Sequence, residues 1–309
     1  MRVLDGSWET WPRSDRPTAV TIGVLDGVHR GHRALLARLG QDLTPTVLTF
    51  DPHPAEVLRP GSQPRLITTI DERLELLADA GVDLVGVLDL AEIKELKADQ
   101  FVEDVLVAKF DVAKLVVGAD FRFGKDRSGD VDLLTSLSAR HGFELEVVPL
   151  LVSGDDLPIS SSRIRDLIEQ GDVAAAAVFL QSLFSITNIV IHGDERGRAL
   201  GFPTANLRPP DRKVVPAHGV YSCFALVGDV RHDAAVNVGV RPTFGGGELL
   251  IEAHVLDFDE DLYDRELTLE FVAYLRPELA FPDVDELVRR MGEDVSATRR
   301  LLAEARAGM

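Results

Sequence analysis

The spacing of apolar residues divides the chain into two parts with different periods. From Thr18 to about Leu150, short runs rich in β-branched residues alternate with stretches whose apolar residues recur at helical spacing. The predicted strands are Ala19–Val24, Thr46–Phe50, Leu84–Leu88, Lys114–Val117 and Leu145–Pro149, and the clearest predicted helices are Asp71–Ala80 and Asp99–Phe110. This alternation is typical of a doubly wound parallel sheet, in which ligands bind at the carboxyl ends of the strands.

Beyond about Phe184 the apolar residues alternate with a period of two, as in VYSCFALV (220–227) and LTLEFVAYL (267–275). Several such strands, separated by glycine and proline, favour a small antiparallel β-barrel. An apolar stripe after Pro282 predicts a C-terminal helix. Two short predicted helices connect the two parts, and we place the domain boundary so that residues 1–183 and 184–309 form separate domains.

Composition restricts the class of protein. A chain of 309 residues is long enough for two domains, and its 51 acidic and 33 basic residues give a formal net charge of −18. This charge argues against a nucleic-acid-binding surface, because such surfaces cluster Lys and Arg. The single cysteine, Cys223, excludes an internal disulfide, and no apolar run reaches the length of a membrane span. With no secretory signal at the N-terminus, we expect a cytoplasmic protein without membrane or nucleic-acid partners.

The first candidate site is the string GVLDGVHRGH, residues 23–32. Gly23 and Gly27 allow the backbone to turn tightly and to approach a ligand. His29 and His32 are three residues apart and share one face of a helix that begins there. A helix N-terminus with two imidazoles suits phosphate groups, whose charge the imidazoles can stabilise. The alternatives are a metal-binding pair and two surface histidines.

A second string, ISSSRIR, covers residues 159–165 and opens a predicted helix. The hydroxyls of Ser161 and Ser162 can cap the helix or bind an anion, and Arg165 adds a guanidinium group one turn later. Taken alone, a serine cap with a solvated arginine is the more common arrangement. The presence of the histidine string favours the anion site.

Together these strings resemble the signature of the nucleotidyltransferase superfamily. TFDPHP (49–54) and VGADFRFG (117–124) narrow the resemblance to the adenylyltransferase half of bacterial bifunctional riboflavin kinase/FAD synthetases. The resemblance implies a Rossmann-like domain with catalytic His29, His32 and Arg165. It implies that the ATP phosphates contact Gly23, Asp26, Gly27, Ser161 and Ser162. It further implies a flavin pocket that contains Phe50, Pro52, Pro54, Asp120 and Phe123.

In the second part, HGDERGRALGFPTANL (192–207) resembles the riboflavin kinase module. Gly193 and Gly197 would let a loop pass over phosphates, to which Arg198 contributes charge. Pro203 stiffens the turn, and the side chains of Thr204 and Asn206 point the same way if the turn is extended. Hydroxyl and amide oxygens are hard ligands that suit Mg²⁺, so these two residues are the predicted metal ligands.

The resemblance also implies that Glu252 is the catalytic base of the kinase and that Asn237, Thr243 and Phe244 surround its site. Without the other strings, Glu252 would be interpreted as a solvated strand residue. The isolated histidines His218, His232 and His254 are assigned structural roles.

The chain departs from the family pattern at several positions. Leu25 stands where phenylalanine is more common, Leu180–Phe184 replaces Leu-Gly-Arg-Pro-Tyr, and Asn188 and Asp264 replace glycines. We expect altered packing at Leu25, and we expect Asn188 and Asp264 to preserve turns, because Asn and Asp tolerate left-handed backbone.

The predicted function is therefore bifunctional. ATP phosphorylates riboflavin to FMN in the barrel and adenylylates FMN to FAD in the α/β domain, both with Mg²⁺, in a monomer or weak homo-oligomer. The alternatives are an enzyme with one live activity, a non-catalytic flavin-binding regulator or carrier, and adenylylation of another small phosphate, such as a pantetheine or nicotinamide nucleotide.

Overall fold

The computed structural model describes residues 1–154, 156–193, 197, 200–243 and 246–308. By their internal contacts the residues form two compact units, Met1–Ser161 and Ser162–Met309. The connecting helices belong to the second unit by this measure. The predicted functional boundary at residue 183 stays a prediction.

The first unit contains a six-stranded parallel sheet in the order β1-β4-β3-β2-β5-β6. Its strands are β1 (Arg2–Leu4), β2 (Thr18–Ile22), β3 (Thr44–Phe50), β4 (Leu84–Leu88), β5 (Val112–Gly118) and β6 (Glu144–Val148). The chain builds outwards from β2 in both directions, which is the doubly wound arrangement, and all five residues of β2 are buried. The predicted fold class of this domain is confirmed.

Short helices connect these strands. They are α1 (Arg30–Leu36), α2 (Pro54–Leu58), α3 (Ile70–Asp79), α4 (Leu90–Ile93), α5 (Ala98–Gln100) and α6 (Val131–His141). The predicted helix Asp99–Phe110 instead continues from α5 as a π-helical segment over Phe101–Val107, with hydrogen bonds from the Ala108 N–H to the Glu103 carbonyl and from the Phe110 N–H to the Val105 carbonyl. This wider turn buries two adjacent pairs of apolar residues together.

The second unit begins with two helices and continues as an antiparallel sheet. Its elements are α7 (Ser161–Glu169), α8 (Val173–Leu180), β7 (Phe184–Ile189), β8 (Ala205–Leu207), β9 (Gly219–Val227), β10 (Val230–Thr243), β11 (Gly246–Val255), β12 (Glu266–Arg276) and α9 (Val284–Gly308).

The strand order β7-β12-β9-β10-β11-β8 places β7 and β8 at opposite edges of the sheet. Just after β7, however, the N–H of Ile191 donates to the carbonyl of Asn206 in β8 at 2.8 Å. This bridge connects the two edges and closes the curl. Helix α9 packs on strands of the same sheet, where Ser222 of β9 donates to the Thr298 hydroxyl at 3.3 Å. The predicted antiparallel barrel with a C-terminal helix is confirmed.

The family departures are accommodated locally. Asp264 adopts a left-handed backbone with φ 58°, and Gln181 caps α8 with φ 60°. Asn188 lies in β7, and its side-chain amide donates to the Arg208 carbonyl at 2.8 Å. Asp264 therefore preserves a glycine-like turn as expected, whereas Asn188 occupies a strand.

No helix in the described part of the chain is both long and apolar enough to cross a membrane.

Close packing at Gly86 of β4 gives a test of this fold. A Cβ there would lie 2.7 Å from the Leu48 side chain and 2.8 Å from the Trp11 ring. We expect Gly86→Ala to lower the free energy of unfolding by about 1–3 kcal/mol through overpacking. Urea unfolding followed by tryptophan fluorescence measures this unit alone, since the two tryptophans, Trp8 and Trp11, both belong to it.

The control is Gly154→Ala, because a Cβ at Gly154 meets no atom of the described residues within 4 Å. Equal unfolding midpoints for Gly86→Ala and the unchanged chain would contradict the packing described for β4.

Candidate functional sites

The loop between β2 and α1 has a strained backbone at the carboxyl end of the central strand. Leu25 and Val28 have φ values of 53° and 39°, which non-glycine residues rarely adopt, a β-branched valine least of all. Both side chains are buried in the core of the unit. Burial of these side chains therefore holds the loop in a conformation that its backbone would not choose alone.

The carboxylate of Asp26 provides the second restraint on this loop. It is 1% exposed and accepts hydrogen bonds from the backbone N–H groups of Ile67 at 3.0 Å and Thr68 at 2.9 Å, and from the Thr68 hydroxyl at 3.1 Å. The same hydroxyl accepts from the Gly27 N–H at 3.1 Å. We interpret Asp26 as a loop anchor, since its charge is directed at protein donors. Its predicted direct contact with phosphate stays a prediction.

His29 and His32 stack on each other at the start of α1. Their ring centroids are 3.6 Å apart with planes 20° from parallel, and Nδ1 of His29 caps the helix by accepting from the Gly31 N–H at 3.2 Å. Burial, and then the proximity of His29 and Arg73, holds the pKa of His32 well below its ordinary value. His32 is therefore neutral at pH 7, which gives the stack at most one positive charge.

The ISSSRIR string begins next to this loop. The hydroxyl of Ser161 donates to the Asp26 carbonyl at 3.0 Å. A Cβ on Gly31 would lie 3.5 Å from the Ile159 carbonyl. The structure thus places the first residues of this string, Ile159 and Ser161, beside the histidine loop. Ser162 and Arg165 follow on α7, where Nη1 of Arg165 lies 3.5 Å from the Ser162 hydroxyl, and their predicted phosphate contacts stay predictions.

Arg73 is a residue of this region that the sequence analysis missed. It is 1% exposed, and its Nη1 donates to the Thr49 hydroxyl at 3.2 Å and to the Phe50 carbonyl at 3.1 Å. The Thr49 hydroxyl in turn donates to the Val24 carbonyl at 2.9 Å. Arg73 therefore connects the β2–α1 loop to the TFDPHP turn. The available signal was its position four residues before Leu77, on the buried stripe of α3.

The TFDPHP turn follows β3, which neighbours β2 in the sheet. The peptide between Asp51 and Pro52 is cis, and Pro54 is the first residue of α2. The side chain of Phe50 packs against the core from the end of β3. Phe50, Pro52 and Pro54 thus lie at the same edge of the sheet as the histidine loop.

The other predicted flavin residues follow β5, the neighbour of β2 on its other side. Asp120 is exposed in the turn after the strand. Phe123 is 8% exposed and stacks on Phe121 at 5.5 Å, so its ring is part of the packed core. Phe123 therefore supports the loop, and its predicted contact with a flavin stays a prediction.

The second unit contains a cavity of about 230 Å³, among whose lining residues are Phe202, Thr204, Asn237, Glu252 and His254. Glu252 lies on β11, where it pairs with Asn237 of β10 on one side and with Asn206 of β8 on the other. The ladder therefore places the predicted base directly opposite a predicted metal ligand.

The GFPTANL turn leads into β8 with its side chains closely packed. Asn206 is 5% exposed, and its Nδ2 donates to the Thr204 carbonyl at 3.4 Å. A Cβ on Gly193 would overlap that Nδ2, and one on Gly197 would overlap the carbonyl oxygen of Phe202. Both glycines are thus required by close approach to the turn. Arg198 and Phe244 lie outside the described residues, as does the side chain of Thr243.

An ion pair that the sequence analysis missed forms part of the cavity wall. Arg276 of β12 donates from Nε and Nη2 to the Asp294 carboxylate of α9, at 3.0 Å and 2.6 Å to the nearest oxygens, and both side chains are 10% exposed. Two-point pairing of this kind fixes the orientation of both groups. A single sequence gives no signal for a pair that joins two different elements.

Comparison with known proteins decides the family. A model described as FAD synthetase matches residues 11–163, and one described as riboflavin kinase matches residues 180–302. The bifunctional riboflavin kinase/FMN adenylyltransferase of Escherichia coli K12 is 37% identical over 306 residues, which cover 97% of each chain. This chain belongs to the bifunctional riboflavin kinase/FMN adenylyltransferase family. The predicted family and enzyme class are confirmed.

Other members of the riboflavin kinase/FMN adenylyltransferase family give the same result. The relative from Listeria monocytogenes is 34% identical over 300 residues, 94% of each chain. Among solved structures, a protein from Streptococcus pneumoniae named as a macrolide-efflux protein matches with a TM-score of 0.87 and 29% identity, over 94% of this chain and 96% of that one. The name of that protein describes that protein only. Its structural similarity supports the fold described here for both units.

The lowered pKa of His32 gives a pH-dependent prediction. An unfolded histidine has a pKa of about 6.5, so below that pH the unfolded chain takes up a proton that folded His32 resists. We expect the stability of the first unit to fall as the pH decreases below about 6.5, by up to about 1.4 kcal/mol per pH unit. His32→Gln removes this contribution, which urea unfolding at pH 7.5 and 5.5, followed by tryptophan fluorescence, measures.

The control for this measurement is His141→Gln, a histidine of α6 in the same unit, which should keep the decline. If the unchanged chain and His32→Gln lose stability equally between the two pH values, the buried neutral state of His32 is wrong.

Proposed function

We propose that the two units catalyse successive reactions of flavin cofactor synthesis. The second unit transfers the γ-phosphoryl group of ATP to riboflavin, giving FMN and ADP. The first unit transfers AMP from a second ATP to FMN, giving FAD and pyrophosphate. The observation that carries the proposal is the β8–β11 register, which sets Glu252, a lining residue of the cavity, opposite Asn206.

In the adenylyl transfer, an oxygen of the FMN phosphate attacks the α-phosphorus of ATP and displaces pyrophosphate. This oxygen is already ionised at neutral pH, so positioning and charge stabilisation supply most of the catalysis. Nδ1 of His32 and Nε of Arg73 are buried and have no hydrogen-bond partner among the described residues. Orphaned polar nitrogens beside the strained loop support an anionic ligand there, because buried polar groups are normally paired.

The remaining predicted residues complete this site in the proposal. Gly23 and Gly27 admit the phosphates, and Ser161, Ser162 and Arg165 contribute donors from the other string. Phe50, Pro52, Pro54 and Asp120 border the flavin, and Phe123 holds its loop in place.

In the kinase reaction, Glu252 accepts the proton of the ribityl 5′-hydroxyl as its oxygen attacks the γ-phosphorus. The Thr204 hydroxyl and the Asn206 amide oxygen would hold Mg²⁺, and these oxygens fit the hard-ligand preference of that ion. The Nδ2 of Asn206 donates to the Thr204 carbonyl, which leaves the Oδ1 oxygen as an acceptor. The bound ion would neutralise phosphate charge. Gly193, Gly197 and Arg198 belong to the loop over those phosphates.

We further propose that the protein acts in the cytoplasm as a monomer or weak homo-oligomer. Its substrates are small molecules, and its acidic surface is unsuited to nucleic acid.

Product chromatography tests the proposed function. The purified protein is incubated with ATP and Mg²⁺ and either riboflavin or FMN. We expect FMN and FAD from riboflavin and FAD from FMN. If FAD forms only in the reaction that starts from FMN, the barrel has no kinase activity. In that case Asn188 and Asp264 would be replaced by glycine to test whether the activity returns. Flavin binding without any product would support the non-catalytic regulator and overturn the proposal.

Glu252→Gln separates the two activities. We expect it to lower the rate of FMN formation by about 10²–10⁴-fold, because the amide cannot accept the hydroxyl proton. FAD formation from FMN should keep its rate. The matched control is Glu266→Gln, an exposed glutamate on another strand of the same sheet. An unchanged rate of FMN formation in Glu252→Gln would show that Glu252 is not the catalytic base.

The converse variant, His29→Ala with His32→Ala, tests the adenylyltransferase site. We expect FAD formation to fall by about 10²-fold or more, because donors to the developing phosphoryl charge are lost. Riboflavin phosphorylation should continue, and unchanged urea unfolding followed by the fluorescence of Trp8 and Trp11 shows that the first unit of the variant is folded. FAD formation at the original rate would exclude the histidine pair from the site.

A further inference from the structure

His254 lies two residues beyond Glu252 on β11 and faces the same cavity. Its Nδ1 lies 2.8 Å from the carbonyl oxygen of Pro203, in the turn that carries Thr204. A carbonyl oxygen can only accept, so Nδ1 carries the proton and donates it. A histidine without a recognised string around it thus makes a specific contact with the proposed metal-binding turn.

The strand pairing shows why this contact is needed. The β8–β11 ladder pairs Ile251 with Leu207, Glu252 with Asn206, and Ala253 with Ala205, and it ends there. Pro203 has no N–H to extend a ladder. Instead of a strand N–H, the imidazole of His254 donates a hydrogen bond to the Pro203 carbonyl oxygen. Thr204 is thereby held between two fixed neighbours, Ala205 in the ladder and Pro203 on His254.

A second contact restricts the ring of His254. It meets the ring of Phe202 edge-on, with centroids 5.4 Å apart and planes at 66°. The N–H of Phe202 donates to the Gly197 carbonyl at 2.9 Å, which connects the same segment to the loop before the turn. The imidazole therefore contacts the two residues immediately before Thr204.

We propose that His254 is a positioning residue of the kinase site, which holds the Thr204 hydroxyl in place for the metal and phosphates of ATP. The proposal rests on the proposed role of Thr204 and Asn206 as metal ligands. It assigns His254 to the nucleotide side of the reaction. It leaves the adenylyl transfer of the first unit independent of this histidine.

The test compares His254→Phe, which keeps a ring and removes the donor, with His254→Asn, whose amide nitrogen can replace Nδ1. The matched control is His232→Phe, because His232 makes a similar edge-on contact with Phe258, at 5.0 Å and 77°. The measurements are hydrogen exchange of the backbone amides of residues 200–207 without ligand, the KM values for ATP and riboflavin in FMN formation, and the rate of FAD formation from FMN.

We expect His254→Phe to raise exchange in 200–207 and KM for ATP by about 2- to 10-fold, the range set by one hydrogen bond. KM for riboflavin and the rate of FAD formation should stay unchanged, as should every value for His232→Phe. His254→Asn should recover most of the loss.

Three results would overturn the assignment: wild-type exchange and KM for ATP in His254→Phe, faster exchange throughout the second unit to the same extent, or no recovery with His254→Asn. Exchange is measured without substrates. A chain that held its turn through His254 but made no FMN would therefore refute the proposed function and leave the structural role of His254 intact.

Discussion

The candidate site of the first unit depends on the hydrogen bonds that the buried carboxylate of Asp26 accepts from Ile67 and Thr68. A carboxylate is removed from water only at a large cost, and here it is offset by N–H and hydroxyl donors from the segment that precedes α3. Those bonds fix the middle of the β2–α1 loop. Within this loop, Leu25 just before Asp26 and Val28 two residues after it adopt unfavourable backbone angles. The histidine stack and the contact with Ser161 both involve this loop. Their geometry therefore depends on the Asp26 carboxylate, which is directed into the protein.

Arg73 extends the same arrangement to the predicted flavin side. Its guanidinium contacts the last residues of β3 through Thr49 and Phe50, and Thr49 contacts Val24 of the histidine loop. Because β3, β2 and β5 are neighbours, the loops that follow them meet at one edge of the sheet. Two buried charged side chains, Asp26 before α1 and Arg73 on α3, therefore set the positions of the two segments that are predicted to contact phosphate and flavin.

In the second unit the corresponding constraint is the short ladder between β8 and β11. Three pairs of residues are enough to set Asn206 opposite Glu252, but the proline that stiffens the turn also ends the pairing. The side chain of His254 takes over at that point. The Arg276–Asp294 pair, whose residues also line the cavity, connects a strand to the C-terminal helix.

Much of this could be predicted from the residues alone, and the remainder could not, for a physical reason. Periodicity indicated the parallel sheet, the barrel and the C-terminal helix, because burial on one face imposes a period of 3.6 or 2 on the sequence. Local strings such as GVLDGVHRGH and GFPTANL allowed a phosphate site and a metal site to be proposed, because the groups that each site needs are close along the chain. The anchoring role of Asp26, the contacts of Arg73, the packing of Phe123 and the bond from His254 to Pro203 join residues that are distant in sequence. Such contacts depend on which elements become neighbours, and only the tertiary structure decides that.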